Sequence, residues 1–154
     1  EVVVGDADGA DTSIQQYLVN HGTTRAIVFC SGERPRNNVG HWPVQCVETS
    51  HSQGSRAFFT AKDIRMAEVA DIGLMIWDAK STGTLSNVIE LLARKKKSVV
   101  FVNKAKVFKN IATVEQLEDL LSFMSEHAKQ KADEKIRLFA RIDALKHEQI
   151  QMFA

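Results

Sequence analysis

Short runs of β-branched and other apolar residues alternate along the chain with stretches whose apolar positions recur at helical spacing. Val2–Val4, Ala26–Cys30, Ile72–Trp77 and Ser98–Val102 are almost continuously apolar, the pattern of parallel strands covered on both faces. Val44–Val47 is a weaker fifth strand. Ala10, Ile14, Tyr17, Leu18 and His21 share one face of a predicted helix from Ala10 to His21. Leu85, Val88, Ile89 and Leu92 do the same from Thr84 to Lys96. A shorter helix is predicted from Thr60 to about Val69, with Thr60 and Asp63 as a capping box. Strand–helix alternation of this kind predicts an α/β fold over residues 1–112, a Rossmann-like three-layer sandwich with a mostly parallel sheet.

Residues 113–154 change character, being rich in Glu, Lys, Gln and Ala, and read as helices from Glu115 to Phe123 and from Glu126 to about Met152. Ile136, Phe139, Ile142, Ile150 and Phe153 are expected on one broad face of the second. A continuous helix of roughly 25 residues would be about 38 Å long. This C-terminal helical extension is therefore expected to pack on the domain at one end and on a partner subunit at the other, giving a homodimer or higher homo-oligomer. Ser31 to Ser50, with Gly32, Pro35, Gly40 and Pro43, predicts a long irregular connection. Long loops in compact domains are functional more often than not, so a lid over a site is expected here.

Composition narrows the partners. A chain of 154 residues fits one domain with a real core. A net charge of +1 and an aromatic content of 7% give no basis for a nucleic-acid partner. No apolar run approaches the roughly 20 residues of a membrane helix. Glu1 to Asp11 show no basic segment followed by an apolar stretch, so no secretory signal is expected in them. The chain opens on a strand already under way and without Met, which leads us to expect sequence upstream. Cys30 and Cys46 are too few for a disulfide framework or a zinc site, Cys30 reads as a small buried hydrophobe, and a reducing cytoplasm is the consistent expectation.

Two strand-to-helix turns carry the candidate chemistry. Gly5-Asp6-Ala7-Asp8-Gly9-Ala10-Asp11 combines glycines, which admit close approach of a ligand, with a helix start that offers unpaired N–H groups. Its three aspartates repel a bare anion and suit ribose hydroxyls, Mg²⁺ or helix capping. No cofactor is firmly implied. Asp78-Ala79-Lys80-Ser81-Thr82-Gly83-Thr84 gathers a glycine, three hydroxyls, a lysine and a second helix start, the mixture that holds phosphate or sugar. Open α/β sheets bind ligands at the C-terminal edge of their strands, so the two bends are expected to converge on one small molecule.

The first turn resembles the glycine-rich signature of the SLOG superfamily, which unites DNA-processing protein A with the "lonely guy" enzymes. Lys62-Asp63-Ile64-Arg65-Met66 with Ala70-Asp71 resembles that group's "(K/R)-(D/N)-x-x-M…A-D" segment, and Trp77-Asp78-Ala79-Lys80-Ser81-Thr82-Gly83-Thr84 its "W-D-G-x-S-x-G-T" segment. Arg36-Asn37-Asn38-Val39-Gly40-His41-Trp42 sits where a small bacterial and phage branch carries "R-N-N-x-G-x-W". The resemblance spans Val2 to Val102 and implies binding or sensing of a nucleotide-derived ligand. Gly5, Gly9 and Ala10 would contact one end of it. Ser81, Thr82, Gly83 and Thr84 would hold phosphate or ribose, Asp11 or Asp78 would take hydroxyls, Arg36, Lys62 or Trp42 would close over it, and Asp6 and Asn87 belong to the same expected ligand-binding set.

The related N-glycosidases and deoxyribosyltransferases place a catalytic glutamate where this chain has Asn87, and an amide cannot serve as nucleophile or base at a glycosidic carbon. Glu90, one turn further, is the substitute an enzyme would use, although a solvated helical charge is the plainer reading. Enzymatic cleavage of a nucleoside bond thus ranks below binding, and DNA binding below both. Gly5-Asp6 with Asp11 also resembles the metal-binding segment of haloacid-dehalogenase-like phosphatases, but it stands at the start of the chain rather than late in the fold.

Overall fold

A computed structural model describes residues 1–153, the side chains of 152 and 153 excepted. The chain is α/β and forms two compact units, Glu1–Ala70 and Asp71–Ala154. Their six helices and two small sheets are compatible with a Rossmann-like sandwich carrying C-terminal helices.

In the first unit, β1 (Val2–Val4), β2 (Ala26–Ser31) and β3 (Val44–Val47) form an all-parallel sheet in that order. Strands β1 and β2 are linked by α1 (Ala10–Asn20), and α2 (Arg56–Val69) follows β3. Val4, Ala26, Val28 and Trp42 make a small core, with Ile14 and Leu18 of α1 against it. The expected face of α1 is rotated: Ala10, Tyr17 and His21 are exposed, and the one fully buried side chain of the helix is Gln15. Tyr17 and His21 instead stack on each other at the surface, 3.9 Å apart.

Helix α2 begins four residues before the predicted start. Ser55 caps it by accepting the Phe58 N–H, and the Thr60 hydroxyl donates to the Arg56 carbonyl from inside the helix. Thr60 and Asp63 form no capping box, because an earlier hydroxyl with extended backbone had taken that role.

The second unit pairs β4 (Ile72–Trp77) parallel to β5 (Lys97–Val102), with α3 (Thr82–Ala93) between them in sequence. A hairpin then adds β6 (Val107–Ile111) antiparallel to β5, a strand the sequence pattern did not predict. Helices α4 (Val114–Leu121), α5 (Glu126–Ile136) and α6 (Leu138–Phe153) complete it. Their Leu117, Leu120, Leu138 and Ile142 share one core with Leu85, Val88, Val100 and Trp77. The predicted single C-terminal helix is therefore two. Arg137 adopts a left-handed conformation (φ 56°), and the Asp133 carboxylate accepts the Phe139 N–H beyond the break. The bend lets α6 bury Leu138, Ile142 and Leu145 within the unit, while Phe139 and Ile150 of the expected face are exposed. Phe153, placed on the same face by sequence, lies outside the described side chains.

Among the described residues, no helix is long and apolar enough to cross a membrane.

Candidate functional site

Strand β1 ends by delivering Gly5 and Asp6, both buried, to the turn before α1. A Cβ on Gly5 would run into the Asp11 carboxylate and lie 2.9 Å from the Lys62 ammonium, so only glycine lets these groups close over the strand end. Gly9 holds the N-cap position of α1 at φ 86°, with open space where a side chain would stand, and no side chain caps the helix. Acidic Asp11 lies in the first turn, where the helix dipole favours it.

The charges of this turn are set by three elements of the same unit. Asp6 is 2% exposed and accepts the Arg36 backbone N–H at 2.8 Å and its guanidinium at 2.8 Å and 3.3 Å. Burial pushes the Asp6 carboxyl up, but the Arg36 bonds and charge outweigh it and hold the group below its ordinary range. Arg36 also lies 4.0 Å over the Phe59 ring. From α2, Lys62 is 4% exposed and places its ammonium 2.6 Å from Asp63 and 3.8 Å from Asp11. Its backbone N–H donates to the Ser31 hydroxyl at the end of β2. At Asp11 the balance runs the other way: burial raises the carboxyl above its ordinary value despite the attraction of Lys62 and a bond from the Ala7 N–H. Asp8 is exposed and accepts from the Asn37 amide. Four carboxylates thus face two cations, a balance that suits hydroxyl, amine or base N–H donors better than a bare phosphate.

Gln15 was not among the residues singled out from sequence. Fully buried, it donates to the Gly5 carbonyl at 2.8 Å and the Asn37 carbonyl at 3.2 Å, and accepts the Val39 N–H at 2.9 Å. A polar residue on a helix ordinarily reads as solvated; its only signal was a position between Ile14 and Leu18 on the inward side. With Asp6 and Asn38 it staples the connection expected to be a lid. Asn37 donates to the Asp6 carbonyl, and Asn38 exchanges two bonds with the Trp42 backbone. Trp42 is 7% exposed, packs in the core of the unit and donates its indole N–H to Thr23. Its ring plugs this loop against the core of the unit rather than standing over the turn.

In the second unit, the turn between β4 and α3 is built differently. The Asp78 carboxylate accepts the N–H groups of Lys80 and Ser81 at 2.9 Å and 2.7 Å. Burial pushes Asp78 up, and these backbone bonds more than offset it, leaving the carboxyl low. Ala79 is left-handed (φ 64°), at the position where the "W-D-G" pattern has glycine. The Trp77 indole fixes the Ser81 carbonyl at 3.1 Å. Helix α3 starts at Thr82, two residues earlier than predicted, with Ser81 at the N-cap and no side-chain cap. Gly83 and Thr84 therefore lie in its first turn, and Asn87, one turn on, is half-buried.

Glu90 has a different employment from either reading of the sequence. It receives Arg94 from its own helix at 2.6 Å and Arg141 from α6 at 3.1 Å, while Arg141 also donates to Ser86. It is a clamp between helices. A cavity of about 540 Å³ in this unit, lined by Ile72, Leu92, Val114 and Lys95–Lys97, lies at the N-terminal ends of β4 and β5, the opposite edge from Asp78–Thr84.

Among the described residues, no group of three or more His, Cys, Asp or Glu side chains is arranged to hold a metal ion. Compared with known proteins, the chain matches no family model, no curated protein and no solved structure.

Proposed function

We propose that this protein binds a nucleotide or nucleotide-derived ligand, as a sensing module of the SLOG type. The observation that supports the reading most is the start of α1. An uncapped helix end opens at Gly9, and next to it Asp11 is kept partly desolvated beside the buried Lys62. A carboxyl raised by burial beside a specific charge partner, in a turn lined by glycines, marks a candidate site. The Asp8 and Asp11 oxygens take sugar hydroxyls, and the free α1 amides take an acceptor on the ligand. By its own chemistry, the turn at Ser81–Thr84, which brings hydroxyls and a glycine to the start of α3, is the element suited to phosphate or ribose.

The test is a thermal-shift and calorimetric panel of AMP, cyclic AMP, cyclic GMP, ADP-ribose and NAD. One of them is expected to raise Tm saturably, to be recovered intact, and to lose its effect in Asp11→Asn. If none binds, the reading falls. Release of free base would replace sensing with catalysis.

A further inference from the structure

Strands β2 and β3 of the first unit place the two cysteines opposite each other. Cys30 and Cys46 are register partners in a parallel pair. Such neighbours lie about 4.8 Å apart, within the roughly 4.4–6.8 Å Cα separation of a disulfide. The sulfurs are 3.9 Å apart, on the same side of the sheet. Cys30 is buried and Cys46, on a strand with exposed residues, is open to solvent. Among the described residues, each thiol otherwise reaches only a backbone carbonyl, Gly32 for Cys30 at 3.8 Å and Glu33 for Cys46 at 3.4 Å.

We propose that Cys30 and Cys46 are a redox-active pair that closes to an intramolecular disulfide when the protein meets an oxidised low-molecular-weight disulfide. The exposed Cys46 thiolate attacks one sulfur of that disulfide, forming a mixed disulfide and expelling a small-molecule thiolate. Cys30, as its thiolate, then attacks the Cys46 sulfur, forming the Cys30–Cys46 bond and releasing the second small thiol. The two protein thiols together lose two electrons and two protons, and the small disulfide is reduced to two thiols. Burial, with the Cys46 thiol and the Asp6 charge beside it, holds the Cys30 thiol up at about 12 against the opposing pull of Lys62, which assigns the first attack to Cys46 and makes ring closure the slow step. Closure needs the sulfurs to approach from 3.9 Å to about 2.05 Å, through side-chain rotation on strands already in register. The bond would tie down both ends of the segment that carries Arg36, Asn37 and Trp42.

The experiment uses the whole chain, reduced, freed of reductant, and equilibrated in glutathione/glutathione-disulfide mixtures of increasing oxidising strength. Both thiols are expected to vanish together from maleimide labelling under denaturing conditions, with the intact mass lower by two hydrogens. Digestion is expected to give one peptide pair joined through Cys30 and Cys46. In Cys30→Ala, Cys46 should stop as the glutathione adduct, whereas in Cys46→Ser, Cys30 should remain free. The proposal is overturned if wild-type protein keeps both thiols, retains glutathione on Cys46 without closing, or forms chain-to-chain disulfides. These readings come from the wild type, so failure of a variant to fold does not shelter the idea.

Discussion

The Asp6–Arg36 pair should be asymmetric, because one partner is sealed and the other is not. Asp6 is 2% exposed and the Arg36 side chain 35%. In Arg36→Met, the carboxylate stays buried with one backbone N–H and the more distant Lys62 charge. Removing one partner from a buried charge pair costs about 3–5 kcal/mol, and we expect the lower half of that range because methionine can still rest on Phe59. In Asp6→Asn the amide oxygen can keep the Arg36 N–H, and the guanidinium can turn to water. The loss there is one charge-assisted bond, about 1.5–3 kcal/mol, discounted for exposure to about 1.5 kcal/mol. Urea unfolding followed by Trp42 fluorescence in a Trp77→Phe background reads the first unit alone. Arg36→Met is expected to lower the midpoint further than Asp6→Asn by a gap on the order of 1 M, with m unchanged. Because the Asp6 carboxyl is held low, its contribution is present above the unfolded value and is lost as pH falls through the folded one. The gap between wild type and Asp6→Asn should therefore narrow below pH 4. Equal losses, or a larger loss in Asp6→Asn, would refute the account.

Asp11 has the opposite sign: a raised carboxyl binds its proton more tightly when folded, so its contribution is present at low pH and drains away as pH rises above 3.8. Asp11→Asn should gain on wild type as urea titrations move from pH 4 towards neutrality. Among the described residues the buried Ser98 hydroxyl meets no hydrogen-bond partner, so Ser98→Ala should leave stability unchanged or raise it by about 1 kcal/mol in chemical denaturation. Ala79→Gly relieves a left-handed alanine but gives up a buried methyl, two effects of about 1 kcal/mol each, and should be close to neutral by calorimetry. Glu90→Ala strands Arg94 and Arg141 and should raise hydrogen exchange selectively in α6, with a loss of about 1–2 kcal/mol.

The five strands named from sequence were legible because β-branched runs bounded by turn residues leave few alternatives. Strand β6 was not, since Val107-Phe108-Lys109-Asn110-Ile111 is largely exposed and mixes polar with apolar residues. The break at Arg137 carries neither glycine nor proline; Asp133, four residues earlier, supplies the bonds that make it possible, and sequence periodicity runs straight through it. The candidate turns were visible as glycine-rich bends, and Gly5, Asp6, Asp11, Arg36 and Lys62 do gather in the first unit. Which of them would be neutralised was hidden, because Arg36 and Asp6 meet across thirty residues of chain. Trp42, expected to close over a ligand, goes to the interior of the first unit, and Gln15, which no motif picked out, forms the joint beneath the turn.

That joint has a kinetic meaning. One glutamine anchors Gly5, Asn37 and Val39 at once, so three segments around the turn are tied to a single buried side chain. Under the proposed function, a rim pinned in this way would have little left to order on binding, and capture would be governed by diffusion and orientation. Good and poor guests would then differ in how long they stay, not in how quickly they are taken up.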